Sequence, residues 1–332
     1  MTRALEDDTL GAEPFLEHVA DDVERLAVRP RDDELGERRR GELVERDLRL
    51  PRAALVTVLL WGSAFVGIRS AGRSFSAGPL SLGRLLVGAV VLGGVLVVRG
   101  ERLPRREDLR AVGVPLLIAG VLWFGAYNLM LTAGEQSVDA GTAAMLVNVG
   151  PVLIAVLAGL LLGEGFPRAL FAGCAVAFAG VAVIALATTN HSATAGGVLL
   201  CLGAAAAYAG GAVTQKLVLR RLTGLQTILC CCLIGIVCFL PWSPQLVDQL
   251  GDAPAGAIGW VVYLGVFSTA IGFLTWAFAL SRMDAGRLGA TTYLVPPVSV
   301  LLGWAWLGES PAGLAYLGGA LCLVGVALSR RR

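Results

Sequence analysis

From Pro51 to Ser329 the chain alternates long apolar runs with short polar interruptions. A helix needs roughly 20 mostly apolar residues to cross the hydrocarbon core of a bilayer. Ten such runs are predicted, at about 52–71, 78–98, 110–132, 139–162, 167–187, 196–216, 224–242, 257–279, 286–307 and 312–329. The connections carry turn residues, as in Arg73-Ser74-Phe75-Ser76-Ala77-Gly78-Pro79 and Ser243-Pro244-Gln245. The pattern predicts an all-α polytopic membrane protein with ten transmembrane helices.

Composition agrees. Hydrophobic residues make up 56% of the 332 and charged residues only 16%, against roughly 25% charged in ordinary globular chains. The charge is also uneven. Residues 1–50 hold 15 acidic and 9 basic side chains, and residues 51–332 hold 10 acidic and 18 basic. The first 50 residues therefore read as a polar, acidic, poorly ordered tail, with too little apolar material for a core. They lack the basic start and apolar core of a secretory signal, so the run from Pro51 is expected to act as an uncleaved anchor. The seven cysteines all lie in apolar runs, with no C-x-x-C spacing and no histidine close by, which argues against a zinc or disulfide framework.

Loop charge orients the ten runs. With the N-terminus inside, the inside connections hold Arg99, Arg102, Arg105, Arg106, Arg110, Arg168, Lys216, Arg220, Arg221, Arg282, Arg287 and the final Arg330-Arg331-Arg332. The outside connections hold only Arg69 and Arg73. By the positive-inside rule both termini are cytoplasmic, and the expected location is the inner membrane.

The apolar body also repeats itself. At a shift of 145, Asp139-Ala140-Gly141 falls on Asp284-Ala285-Gly286, Pro151 on Pro296 and Gly163-Glu164 on Gly308-Glu309. Gly173 and Gly180-Val181-Ala182 fall on Gly318 and Gly325-Val326-Ala327. A shift of 147 brings Trp61 onto Tyr208 and Arg69 onto Lys216. The halves are expected at 51–187 and 188–332. Five helices per half is an odd number, so the second half must sit upside down relative to the first. That makes two inverted five-helix repeats, as in many secondary transporters.

These features resemble the EamA type of the drug/metabolite transporter superfamily over roughly residues 52–329. The resemblance rests on Trp61-Gly62-Ser63, on Pro79 followed by Arg84, and on the runs ending Pro151…Gly163-Glu164 and Pro296…Gly308-Glu309, each followed by a glycine-rich helix. It implies small-molecule transport by alternating access, often export, without fixing the substrate. The 50-residue acidic tail is not part of the family pattern.

Strongly polar groups inside a membrane are functional candidates by default. Arg84 lies about six residues inside the second run. It reads either as a cavity cation meeting an anionic or carboxylate substrate, or as an arginine snorkelling to the interface. Asn128, Asn148 and Gln215 sit in apolar surroundings. Asn148 stands just before Pro151, and a proline frees backbone carbonyls. Tyr293 and Pro296-Pro297 hold the matching place in the second half, so the fourth and ninth helices are expected to line the site. Trp61, Tyr127, Tyr208 and Trp276 could stack on substrate or belong to interfacial belts. Glu164 and Glu309 read as structural groups at the membrane edge, with a proton-coupling role as the alternative.

An embedded enzyme would need a compact set of nucleophile, base or metal ligands. The runs contain no histidine and no paired carboxylates. No G-x-x-x-x-G-K-[ST] occurs, which excludes a pump energised by nucleotide on this chain alone. The remaining readings are a gradient-driven secondary transporter of a small polar metabolite, amino-acid-like or nucleoside-like, or a sensor or scaffold with a cytoplasmic output tail. No cofactor is implied. The expected partners are the substrate and the lipid bilayer, with no nucleic acid, and a monomer satisfies the pattern.

Overall fold

The computed structural model describes residues 39–135, 146–188, 194–307 and 313–329. Among them the protein is helical throughout, with no strand. Lipid requires this: a spanning segment must satisfy its backbone groups internally, and a helix does so. The rods are α1 (Arg39–Ala71), α2 (Ala77–Val98), α3 (Arg106–Gly134), α4 (Gly150–Leu161) and α5 (Arg168–Thr188). The second half follows with α6 (Ala195–Val218), α7 (Gly224–Asp252), α8 (Ala255–Leu280), α9 (Ala285–Trp306) and α10 (Gly313–Ser329).

Eight of these rods contain a stretch long and apolar enough to cross a membrane. The fourth and tenth predicted runs supply shorter apolar helices, Gly150–Leu161 and Tyr316–Ser329. At 1.5 Å per residue, twelve residues of α4 reach about 18 Å, short of a bilayer core of about 30 Å. The start of the predicted fourth run, residues 139–145, lies outside the described residues, as do Glu309 and residues 1–38. The polar segment before Pro51 ends as helix, since α1 begins at Arg39.

Polar links between rods identify two poles. At one, where α1 ends and α2 begins, the Ser76 N–H donates to Gln249 Oε1 at 3.0 Å. At the other, Gln226 Nε2 donates to the Arg102 carbonyl at 2.8 Å, and the Thr223 hydroxyl bonds Glu101. Thr223 and Gln226 also form a capping box that starts α7, satisfying donors that the first helical turn leaves open. We call these the Ala71 pole and the Lys216 pole.

The halves interlock. α1 packs against α8 and α9 of the second half, and α6 packs against α3 and α4 of the first. Thr57 and Thr275 hydroxyls meet at 2.8 Å between α1 and α8, and Ser299 Oγ donates to the Gly62 carbonyl at 3.0 Å between α9 and α1. The last helices of the two halves, α5 and α10, form the most extensive contact. Their glycines decide it. A Cβ on Gly180 would stand 2.6 Å from the Gly318 carbonyl oxygen, and one on Gly173 would strike Gly325 at 2.6 Å. Gly173 and Gly318 are repeat equivalents, as are Gly180 and Gly325, so each half meets its counterpart head to tail. Small residues allow this backbone approach, the packing mode open to helices that gain nothing from hydrophobicity in lipid.

Candidate functional site

The rods surround one described cavity, which holds about 100 Å³ that a water molecule can reach. A single bound water needs roughly 10–15 Å³. Its walls come from seven rods, α1, α2, α3, α4, α6, α8 and α9. They run from Trp61 and Tyr208, near mid-bundle, to Ile68, Thr132 and Val147 toward the Ala71 pole.

Seven of the sequence candidates line this space: Trp61, Arg84, Tyr127, Asn128, Asn148, Pro151 and Tyr208. Trp276 and Tyr293 do not; both are fully buried behind the wall. Trp276 stacks on Trp61 with ring centroids 5.1 Å apart. Thr292 and Val295 line the cavity on either side of the Tyr293-containing turn, whereas Pro296 and Pro297 do not. The predicted α4–α9 pair is in direct contact along much of its length: a Cβ on Gly289 would meet Ile154 at 3.2 Å, and one on Gly286 would meet Ala155 at 3.3 Å. Pro151 of α4 and Thr292 and Val295 of α9 still line the cavity, beside residues of α1, α2, α3, α6 and α8.

Both proline sites interrupt regular helix as their chemistry requires. A turn precedes Pro151, and a 3₁₀ stretch, Thr292–Leu294, precedes Pro296. Pro151 cannot donate to the Val147 carbonyl, nor Pro296 to that of Thr292. Val147 and Thr292 are repeat equivalents, and both line the cavity.

Arg84 is buried on the wall. Its Nε donates to Thr269 Oγ1 at 3.1 Å and its Nη2 to Ser268 Oγ at 3.1 Å. No carboxylate among the described residues lies within ion-pair distance of it. A guanidinium offers five N–H donors in a rigid fork, so two hydroxyls leave most of the fork for another partner. The snorkelling alternative fits poorly, because an interfacial arginine places its head in water.

An aromatic wall faces this charge. Trp123 meets Trp61 at 5.9 Å, Tyr208 at 5.2 Å and Phe273 at 5.0 Å between centroids. The Tyr208 hydroxyl lies 3.4 Å from Thr292 Oγ1. Trp123, Phe273, Ser268 and Thr269 were not singled out from the sequence. Trp123, Ser268 and Thr269 sit in π-helical stretches, Gly120–Tyr127 and Leu264–Ile271, one in the third rod of each half. Such bulges gather at functional positions. Asn128 steadies the first: its Nδ2 donates to the carbonyls of Trp123 and Phe124, both at 3.1 Å. A signal for them exists in the chain, since Gly120 and Gly265 match at the 145-residue shift. Each lets a neighbouring rod approach, with a Cβ meeting Ile234 at 2.7 Å and Val87 at 2.5 Å respectively.

Toward the Lys216 pole an ion pair joins α6 to the turn after α4. Lys216 Nζ donates to Glu164 Oε1 at 2.6 Å and to the Met283 carbonyl at 2.8 Å. The same carboxylate accepts the first N–H groups of α9, from Ala285 at 2.9 Å and Gly286 at 3.2 Å. A carboxylate is favoured there by the positive end of the helix dipole. Gly163 and Gly165 flank Glu164 with φ of 71° and 72°, a conformation open to glycine at little cost. This double turn swings Glu164 off the end of α4 and onto α9. We refer to the arrangement as the Lys216–Glu164 lock.

A helical bundle with apolar rods, polar links at its two poles and a charged, aromatic cavity within has the build of a multi-pass membrane transporter. The chain belongs to the EamA-like transporter family, whose profile matches twice, at residues 52–186 and 195–331. It is 38% identical over 280 residues to a "probable terminal-alkyne amino-acid exporter" of Streptantibioticus cattleyicolor, covering 84% of this chain and 93% of that one. An uncharacterized transporter of Bacillus subtilis is 30% identical over 80% of this chain and 86% of its own. A "probable amino-acid metabolite efflux pump" of Escherichia coli is 26% identical over 82% and 92%. One solved crystal structure superposes with a TM-score of 0.70 at 20% identity, covering 85% of this chain and 96% of that one. It shares the fold.

Proposed function

We propose that this protein exports a small amino-acid-like metabolite by alternating access, with the substrate carboxylate meeting Arg84. The observation that carries the reading is the placement of Arg84, a buried cation on the cavity wall held by two hydroxyls and, among the described residues, by no acid. Insertion scales put a central arginine at about 2.5–3.5 kcal/mol unfavourable. An anionic ligand offsets that cost through a bidentate, charge-assisted contact. The aromatic wall suits the rest of such a molecule. The names given to two relatives, a "probable terminal-alkyne amino-acid exporter" of Streptantibioticus and a "probable amino-acid metabolite efflux pump" of Escherichia, support the same class.

On this reading all ten rods cross the inner membrane, both termini are cytoplasmic and the two halves are inverted. The cavity, which extends toward the Ala71 pole, then faces outward, and the Lys216–Glu164 lock closes the cytoplasmic side. Counterflow of radiolabelled amino acids in proteoliposomes tests the function without knowledge of a coupling ion. Arg84→Gln should abolish counterflow of free acids while leaving membrane insertion intact. Undiminished flux in that variant would remove Arg84 from the site.

A further inference from the structure

Among the described residues, buried side-chain polar atoms without a hydrogen-bond partner occur on three residues only: Gln215, with both amide atoms, Trp276 at Nε1 and Tyr293 at its hydroxyl. All three side chains are fully buried. An unmade bond of this kind costs about 1–3 kcal/mol, and three residues that carry them ask for a reason.

The repeat supplies it. Gln215 is the counterpart of Ile68 at the 147-residue shift that also relates Trp61 to Tyr208. Trp276 is the counterpart of Leu131, and Tyr293 of Asn148, at the shift of 145. Ile68, Leu131 and Asn148 all line the cavity on its way to the Ala71 pole. The three unsatisfied residues are thus the repeat images of three wall residues of the open side. They occupy α6, α8 and α9, and the Lys216–Glu164 lock ties α6 to the start of α9 and to Met283 in the turn that follows α8. Exchange of conformation between inverted halves carries each position into the environment of its image.

We propose that Gln215, Trp276 and Tyr293 line a second vestibule, which opens toward the Lys216 pole when the Lys216–Glu164 lock parts. This rests on alternating access as proposed above. The three side chains are uncharged and rich in donors: an amide NH₂, an indole N–H and a phenol O–H. The vestibule therefore takes a carboxylate-bearing substrate by neutral hydrogen bonds, a weak hold suited to passing the substrate to or from Arg84. The lock's own images in the repeat are Arg69 and Glu309; Glu309 lies outside the described residues.

The test is labelling of single added cysteines in the full chain by a membrane-impermeant methanethiosulfonate reagent, read as the increment over the parent chain. Right-side-out spheroplasts and everted vesicles present the two faces. Gln215→Cys should label from the face that carries Lys216. Adding Glu164→Gln, which removes the lock's charge at constant shape, should speed that labelling by about threefold or more as the population shifts. Ile68→Cys should label from the opposite face and slow in the same background. Should Gln215→Cys not reach the membrane, Tyr293→Cys is read in the same way. The proposal is overturned if neither Gln215→Cys nor Tyr293→Cys labels from the Lys216 face in either background. It is also overturned if Glu164→Gln speeds Ile68→Cys and Gln215→Cys together, which would be loosening rather than exchange. Labelling needs no substrate. Opposed rate changes without counterflow would sink the amino-acid reading alone, and counterflow without labelling would sink the second vestibule alone.

Discussion

Replacing Gly180 with alanine tests the α5–α10 contact directly. The added Cβ would lie 2.6 Å from the Gly318 carbonyl oxygen and 2.7 Å from the Cys322 nitrogen. Non-bonded heavy atoms settle at about 3.5–4.0 Å, so the two backbones must part by about 0.9 Å or more. Both obstacles are backbone atoms, and no rotamer change can move them aside. Overpacking of this kind costs about 1–3 kcal/mol, and an obstacle that cannot yield puts Gly180→Ala at the upper end. Alanine returns about 1 kcal/mol of helix propensity, leaving a net loss of about 2 kcal/mol. Gly94, in α2, is the internal control, since a Cβ there would meet nothing within 4 Å. Gly94→Ala keeps only the propensity gain and should be neutral or stabilised by up to about 1 kcal/mol. Unfolding of the purified protein in mixed detergent micelles, followed by circular dichroism against the fraction of denaturing detergent, measures both. If the two variants unfold at the same detergent fraction, the close approach of α5 and α10 is wrong.

Two further substitutions probe the polar links between and within rods. Thr57→Val removes the hydroxyl that meets Thr275 at 2.8 Å between α1 and α8; the same assay should show a loss of about 0.6 kcal/mol, the average for interhelical bonds in lipid, and a loss above 2 kcal/mol would mean that Thr57 does more than bridge. Asn128→Leu frees the Trp123 and Phe124 carbonyls of the first π-helical stretch; it should cost about 1–2 kcal/mol for two bonds and lower counterflow further than Thr57→Val does, whereas wild-type counterflow would show that Trp123 needs no such support.

Much of the architecture was legible along the chain because it rests on local chemistry. Run length and polarity mark the rods, since every backbone group in lipid must be bonded within its own helix. The repeat matches at Gly173, Gly180, Gly318 and Gly325 mark the α5–α10 contact, because no side chain can replace hydrogen where two backbones touch. Arg84 stood out because a charge in an apolar run is expensive. The identity of its partners did not. Ser268 and Thr269 look like ordinary small polar residues in a helix, and only the approach of α2 to α8 brings their hydroxyls to the guanidinium. Trp61, Trp123 and Trp276 are alike in sequence, yet two line the cavity and one is sealed behind it. Glu164 read as a helix-end acid, and the double glycine turn together with the packing of α4, α6 and α9 made it a lock with Lys216. Sequence by itself determined which segments form apolar helices and that they come in two related halves. Tertiary structure decided which face of each rod meets the cavity, because that choice depends on contacts between residues far apart in the chain, where a shift of one position turns a side chain by about 100° around its helix.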